Sequence, residues 1–316
     1  MLEIRRFVQG IDEEDWVRVW NVAYEEYEDF RQMTVDEFRV FEKAPFFDSE
    51  GRFIAELDGK PVGIIHANVD KKRKEKKSFI RTFGIIPEFR GKGIEEKLAE
   101  TALKELKNRG METVQGWASD SREDRIRLWK TLGFKLVRKF SLMKRGLNSI
   151  PSGLRENKKV VLKPLQKDID VDARVLNRLD NECFKEHFNH RPTTVEETTY
   201  RLRKDPFFKD QEWFFALLNE NSVGYIGVGI DEKYNVDRNV RCGWVLDIGV
   251  LKPVRLKGIG TSLMLRGMKT LKAKGMAVVM LGVDDWNVTK AIKLYERVGF
   301  KVVRKDLTFE KSLMSA

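Results

Sequence analysis

Apolar and polar residues follow two periods along this chain, and the two periods recur in the same order twice. Apolar positions three and four apart predict an amphipathic helix from Glu13 to Tyr27 and another from Val171 to Phe188. Each leads to a strand, a glycine-containing turn and a second strand, over Phe53 to Val69 and Trp213 to Ile230. A hairpin loop precedes a third strand, which in the second series is Cys242 to Val250. A Gly-rich turn then opens a helix with Ile259, Leu263, Gly267 and Leu271 on one face; Gly275 stops it, as Gly110 stops its counterpart. Met276 to Val283 reads as a buried strand, Thr289 to Val298 as a helix and Phe300 to Phe309 as a last strand. The pattern predicts an α/β fold with a mixed sheet and helices on both faces.

The recurrence is also visible residue by residue. Lys43-Ala44-Pro45-Phe46-Phe47, Phe53-Ile54-Ala55 and Pro61-Val62-Gly63 return 161 positions on as Lys204-Asp205-Pro206-Phe207-Phe208, Phe214-Phe215-Ala216 and Ser222-Val223-Gly224. Arg90-Gly91-Lys92-Gly93-Ile94 returns as Arg255-Leu256-Lys257-Gly258-Ile259, and Gly133-Phe134-Lys135 as Gly299-Phe300-Lys301, at offsets of 165 and 166. Near-constant spacing means two copies of one domain, expected at residues 1–147 and 158–316. The polar stretch 148–157 between them reads as a linker.

Composition narrows the classes. No run approaches the ~18 uncharged apolar residues of a membrane-spanning helix. The start, Met1-Leu2-Glu3-Ile4-Arg5-Arg6, lacks the apolar core of a secretory signal, and two cysteines occur, Cys183 and Cys242; a reducing cytoplasm is the expected setting. The net charge of +11, most of it from residues 151–316, suits nucleic acid, an anionic membrane surface or a phosphate-bearing cofactor, without choosing among them.

The segment Asp247 to Thr261 is the most informative. A strand feeds a loop with Gly258 and Gly260, and the loop opens directly into a helix. Glycines let backbone approach an anion closely while the helix's first free amides and positive dipole end point at it, so the segment has the makings of a pyrophosphate cradle. A tight strand-to-helix turn without a ligand would read the same way. About thirty residues on come Asn287, Ala291, Leu294-Tyr295 and Gly299-Phe300.

Together these residues resemble the GCN5-related N-acetyltransferase (GNAT) family, whose acetyl-CoA loop carries Arg255, Gly258 and Gly260 and whose following helix carries the Asn287 to Phe300 set. The resemblance spans both copies and implies two tandem GNAT-like domains, each a mixed, mostly antiparallel sheet flanked by helices. It implies acetyl-CoA as cofactor and transfer of its acetyl group to a primary amine of a small molecule or peptide. In that reading backbone near Ile248 and Val250 serves the thioester, Arg255, Leu256, Lys257, Gly258, Ile259, Gly260 and Thr261 form the pyrophosphate loop, Asn287 contacts the cofactor arm, and Tyr295 gives a proton to sulfur. A tyrosine, protonated at neutral pH, suits an acid's task. Many relatives place a glutamate base where this chain has Gly282, which leaves Asp247 as the available carboxylate; a base acting through water and a hydrogen-bonded strand residue are equally open readings of it.

The first copy departs from the motif. Glu95 stands at the place of Gly260 and Trp129 at that of Tyr295, while Ser121 or Arg122 matches Asn287. A carboxylate in the cradle repels an anion and a tryptophan has no useful proton, so this copy reads as a degenerate partner, with catalysis in the second. Phe184, His187 and His190, with Phe188, fall where the resemblance places the acceptor wall. Exposed histidines at a helix end are the competing reading, and no metal site is expected because no ligand cluster accompanies them. His66 alternates within an apolar strand and reads as a satisfied core or cleft residue. The run Lys71 to Lys77 falls at a hairpin tip with one nearby aromatic, Phe79, which favours a solvated loop over a nucleic-acid platform. Neither cysteine sits beside a recognisable His and carboxylate pair, so direct attack by the amine is favoured over an acyl-enzyme. The alternatives left open are a longer acyl group and a sensor or nucleic-acid-associated regulator without turnover.

Overall fold

A computed structural model describes residues 1–314 apart from 167 and 288. In chain order its elements are β1 (Leu2–Arg6), α1 (Glu13–Tyr24), α2 (Val35–Phe41), β2 (Arg52–Leu57), β3 (Lys60–Val69), β4 (Lys77–Ile85), α3 (Ile94–Asn108), β5 (Thr113–Ser119), α4 (Glu123–Thr131), β6 (Lys135–Gly146), β7 (Val160–Pro164), α5 (Asp170–Phe184), α6 (Val195–Arg203), β8 (Asp210–Leu218), β9 (Asn221–Ile230), α7 (Glu232–Arg238), β10 (Cys242–Val250), α8 (Ile259–Ala273), β11 (Val278–Asp284), α9 (Ala291–Arg297) and β12 (Lys301–Ser312). None of the described helices is long and apolar enough to cross a membrane.

Two compact units form, but they do not follow the linear order of the repeats. One holds Met1–Arg138 with Asp306–Ala316, the other Lys139–Lys305. In the first unit the sheet runs β1-β2-β3-β4-β5 and is finished by β12, whose Asp306 to Ser312 pair antiparallel with Ser119 to Thr113. In the second it runs β7-β8-β9-β10-β11 and is finished by β6, whose Phe140 to Gly146 pair with Asp284 to Val278. The sequence repeat reads as dividing at 148–157, whereas each compact unit takes its sixth strand from beyond its own run of strands, β12 in the first and β6 in the second. Phe309 is buried in the core of the first unit and Met143 in that of the second, so each borrowed strand contributes packing as well as ladder bonds.

In the second unit β9 is buried from Val223 to Ile230 because helices cover both faces of the sheet. On one face Ile259, Leu263, Met268 and Leu271 of α8 pack on Ile226 and Val228. On the other, Leu176, Leu179 and Cys183 of α5 meet Trp213, Phe215 and Tyr225. Gly267 marks the closest approach of α8, since a Cβ there would lie 2.8 Å from Ile226 and 2.9 Å from Val228.

Two irregularities shape the sheet where chemistry was expected. The parallel pairing of β10 with β11 covers only Cys242–Trp244 against Val278–Met280, although β10 runs on along β9 to Val250, so the two strands splay. In the first unit β4 and β5 part in the same way after Phe79 and Gln115. A bulge at Leu246 also interrupts the β10–β9 register. Val245, Ile248 and Val250 pack toward α8, while Leu246 packs with the α5 face, and Asp247 bonds there as well. Strict alternation from Val245 would have turned Asp247 toward α8; the extra residue turns it toward α5.

The helix expected from Thr289 begins later, at Ala291. Asn287 Oδ1 takes the N–H and Oγ1 of Thr289, at 2.7 and 2.6 Å, and Lys290 is left-handed at φ 53°, local bonding that competes with helix. The expected hairpin loop before β10 contains α7, capped by Asp231 on the Tyr234 N–H.

Candidate active site

The loop after β10 is pinned from behind. Arg255 donates from Nε to Val250 O at 2.8 Å and from Nη2 to Cys183 O at 3.0 Å, tying the loop to the end of α5. Arg90 makes the matching bonds to Ile85 O and Ala23 O in the first unit. The motif arginine thus turns its guanidinium to protein carbonyls and fixes the loop's course. Leu256 and Gly258 are left-handed, at φ 62° and 83°, as are Gly91 and Gly93. Gly258 is constrained a second time, because a Cβ on it would come within 2.8 Å of Arg155 O in the stretch read as linker; Asn157 N–H there donates to Ser262 Oγ. Among the described residues no acceptor meets the backbone N–H of Leu256, Lys257, Gly258, Ile259, Gly260 or Thr261. These free N–H groups, at the positive end of a 15-residue helix, fit a pyrophosphate.

Leu294 of α9 flanks this cradle, 3.2 Å from where a Gly260 Cβ would stand. Asn287 sits before α9 with its carbonyl oxygen held by Thr289, which leaves its amide N–H groups as donors. Leu251 N–H bonds Val223 O, so the alternation of an antiparallel ladder assigns the Gly249 groups to β9 and those of Ile248 and Val250 to the splayed gap. Tyr295 belongs to the α8-side core and is 6% exposed. Burial, and then the charge of Asp247, pushes its phenol well above the ordinary tyrosine value, and no described residue bonds its hydroxyl.

On the α5 side stands a cluster the sequence reading missed apart from Asp247. The Tyr225 hydroxyl lies 2.6 Å from Asp180 Oδ1 and 3.1 Å from Asp247 Oδ2. Arg201 reaches Asp247 from Nη1 at 3.2 Å and approaches Asp180 from Nη2 at 3.7 Å. Burial first, and then the neighbouring Asp180 charge, pushes the Asp247 carboxyl up to about 7, against the opposing pull of Arg201 and Tyr225. Cys183 is buried alongside with its thiol pushed up to about 12, mainly by burial, which disfavours the thiolate at neutral pH. Phe184 closes the end of α5, with the His187 ring 4.4 Å away; His187 N–H bonds Phe184 O and His190 N–H bonds His187 O. Phe188 packs toward Phe140 of β6. Gly282 faces open space, with nothing within 4 Å of a built Cβ.

The first unit fills the same places. Glu95 accepts the Gly91 N–H at 3.2 Å. Trp129 donates to Trp117 O at 3.0 Å and lies over Gly116, where a Cβ would be 2.6 Å from its ring. Trp117 stands at the place of Gly282, beside Tyr27. Arg122 N–H bonds Ser119 O as Asn287 N–H bonds Asp284 O, so Arg122 rather than Ser121 is the counterpart of Asn287, and its guanidinium is engaged by Glu26 and Asp124. Asp180, Arg201, Tyr225 and Asp247 are replaced by Trp20, Phe41, Ile64 and Thr82. Lys71, Lys76 and Lys77 of the basic hairpin pair with Glu50, Glu112 and Glu310. His66 is buried and its ring bonds the Asp48 backbone, but its Nε2 finds no partner among the described residues.

Comparison with known proteins agrees with this geometry. The profile of the acetyltransferase (GNAT) family matches residues 13–134 and 174–300. The mycothiol acetyltransferase of Actinosynnema mirum is 25% identical over 265 residues, 84% of this chain and 85% of that protein. That of Thermomonospora curvata is 30% identical over 131 residues, which span 42% of this chain and 43% of that relative. Among solved structures, a GCN5-related N-acetyltransferase from Sphaerobacter thermophilus superposes with a TM-score of 0.73 at 21% identity, covering 100% of this chain and 96% of that one. A tandem GNAT protein from the clavulanic acid biosynthesis pathway does so at 0.74 and 13% identity, over the full length of both chains. Profile, relatives and a matching tandem fold agree: the chain belongs to the acetyltransferase (GNAT) family, in tandem form.

Proposed function

We propose that the second unit transfers an acetyl group from acetyl-CoA to a primary amine of a small molecule or peptide by direct attack, and that the first unit has no catalytic role. The contrast between the units carries this reading: the same loop and the same splay are open and lined with donors in one, and filled by Glu95, Trp117 and Trp129 in the other. Relatives named mycothiol acetyltransferases support acetyl as the group moved.

Bound acetyl-CoA supplies a thioester carbonyl as electrophile. The N–H groups of residues 256–261 hold its pyrophosphate, and Asn287 donates to the arm. Backbone groups of Ile248 and Val250, turned into the gap, orient the thioester. Asp247, titrating near neutral pH, takes the proton from the incoming amine; Tyr295, kept protonated by its surroundings, gives one to the departing sulfur. The two approach from opposite faces of the sheet, through the opening between β10 and β11. Phe184, His187 and His190 wall the acceptor side.

Calorimetry on the full chain should show one CoA per chain, and an amine panel followed by thiol release should find turnover. Two equivalent sites would overturn the division between the units, and CoA binding with no turnover of any amine would leave a binding protein.

A further inference from the structure

We infer that Asp180 and Asp247 share one proton as a carboxyl pair, and that Asp180 is a positioning residue that sets the strength of Asp247 as a base. The inference rests on the acetyl-transfer reading and adds to it how the base is made.

Three observations carry it. The first is proton counting. Tyr225 has one hydroxyl proton, yet its oxygen lies within hydrogen-bond distance of both carboxyls, at 2.6 and 3.1 Å. It donates to only one of them, and the shorter contact is to Asp180. The other contact is a good bond only if Asp247 carries a proton to give. The second is charge. Two carboxylates beside one arginine are left with a net negative charge in a site where their side chains are 11% and 13% exposed, an arrangement relieved by one shared proton. The third is the repeat itself: the first unit keeps the same strands and bulge, and the same helices apart from α7, with Trp20, Phe41, Ile64 and Thr82 in these four places, so the fold does not need the cluster. A polar cluster that the fold does without marks a site kept for chemistry.

The groups facing the pair are Cys183 from α5, Arg201 from α6, Tyr225 from β9 and Tyr295 from α9. The cysteine is un-ionised at neutral pH, the tyrosines hold their protons, and Arg201 stays charged. The pair is thus the group that changes charge near pH 7. In the forward step the unprotonated pair accepts a proton from the ammonium form of the acceptor, R–NH3⁺. The amine's lone pair then forms the N–C bond as the C–S bond breaks, Tyr295 protonates the thiolate, and the second amine proton leaves to water, by which Tyr295 is reprotonated. The products are the amide, free thiol and the singly protonated pair, which returns its proton to solvent.

Asp180→Asn removes the like charge, so the acid limb of kcat/KM moves down by roughly one pH unit or more. Tyr225→Phe removes the oxygen that accepts the Asp247 proton and so disfavours the protonated form, and the limb moves down as well. Calorimetry should give unchanged CoA affinity in both, which shows that each folds. Difference infrared spectroscopy of the free protein supplies a readout without turnover: a protonated-carboxyl band lost near pH 7, absent in Asp247→Asn and displaced in Asp180→Asn. A limb and a band that stay in place in Asp180→Asn overturn the pair, as does an upward shift of the limb in Tyr225→Phe. If the band behaves as expected while no amine is acetylated, the acetyl-transfer reading fails and the shared proton stands.

Discussion

Glu95 turns its carboxylate back onto the Gly91 N–H, 3.2 Å away, and so occupies with a side chain the cradle that the second unit keeps open. Its other oxygen is buried and meets no partner among the described residues. Gly260, its counterpart, has space limited by Leu294. Gly260→Glu should therefore abolish CoA binding in calorimetry while the circular dichroism stays native. Gly260→Ala, which adds bulk without charge, should weaken binding several-fold. Equal loss in both variants would assign the effect to packing against Leu294, and undiminished binding in the glutamate variant would overturn the cradle.

Tyr295→Phe should lower kcat by about 10- to 10³-fold and leave CoA affinity nearly unchanged, because only a proton donor is removed. The wild-type phenol lies well above the ordinary range, so no basic limb in the pH profile should come from it. Wild-type turnover in the variant would make Tyr295 a packing residue.

Cys183 should be dispensable for chemistry. Its thiol is buried and pushed up to about 12, so Cys183→Ala should retain turnover within a few-fold, and iodoacetamide should not inactivate the native protein. Loss of more than about 100-fold in the variant, with CoA binding intact, would reopen the acyl-enzyme route.

The first unit should be acid-sensitive through His66. Burial, opposed by the charge of Asp48, lowers its folded pKa from 6.5 to about 4. Below pH 6.5 the unfolded chain takes up a proton that the folded one refuses, so stability falls as the pH drops from 6.5 to about 4 and this group adds nothing further below that. The urea midpoint of the unmutated protein should fall across that window more steeply than that of His66→Gln. Parallel curves would mean that the ring charges freely in the folded state.

Deleting residues 306–314 should destabilise the first unit, although they end the second repeat. The deletion exposes the edge of β5 and removes Phe309 and Leu313, each worth about 1.5–3 kcal/mol of burial. Hydrogen exchange should accelerate in β3 to β5 and stay slow in β8 to β10. The reverse pattern would show that the strands are not exchanged.

Much of this was legible beforehand because it is local. Gly258 and Gly260 announce a loop that opens a helix, and Gly267 with Leu263 and Leu271 announces the face that packs. Glu95 and Trp129 mark where the first copy departs from the motif, because the repeat supplies its own comparison. Asp180, Arg201 and Tyr225 were not legible: they come from three elements and meet only in three dimensions, and Asp247 joins them through a bulge at Leu246 that no periodicity reports. The exchange of β6 and β12 was hidden for a related reason. Both strands have the right sequence to end either sheet, and the choice lies in long-range pairing. His66 read as satisfied because alternation predicts burial but not what its Nε2 meets.

The exchanged strands also set an order of completion during synthesis. Strands β1 to β5 of the first unit leave the ribosome before those of the second, yet the β5 edge waits for residues 306–312, which follow every strand of the second unit. The second unit has all of its strands once residue 284 has emerged, because β6 was made long before. The half that is translated first is therefore finished last. For the whole of that interval the nascent chain holds an open edge strand, the kind of surface on which chaperones and misassembly compete.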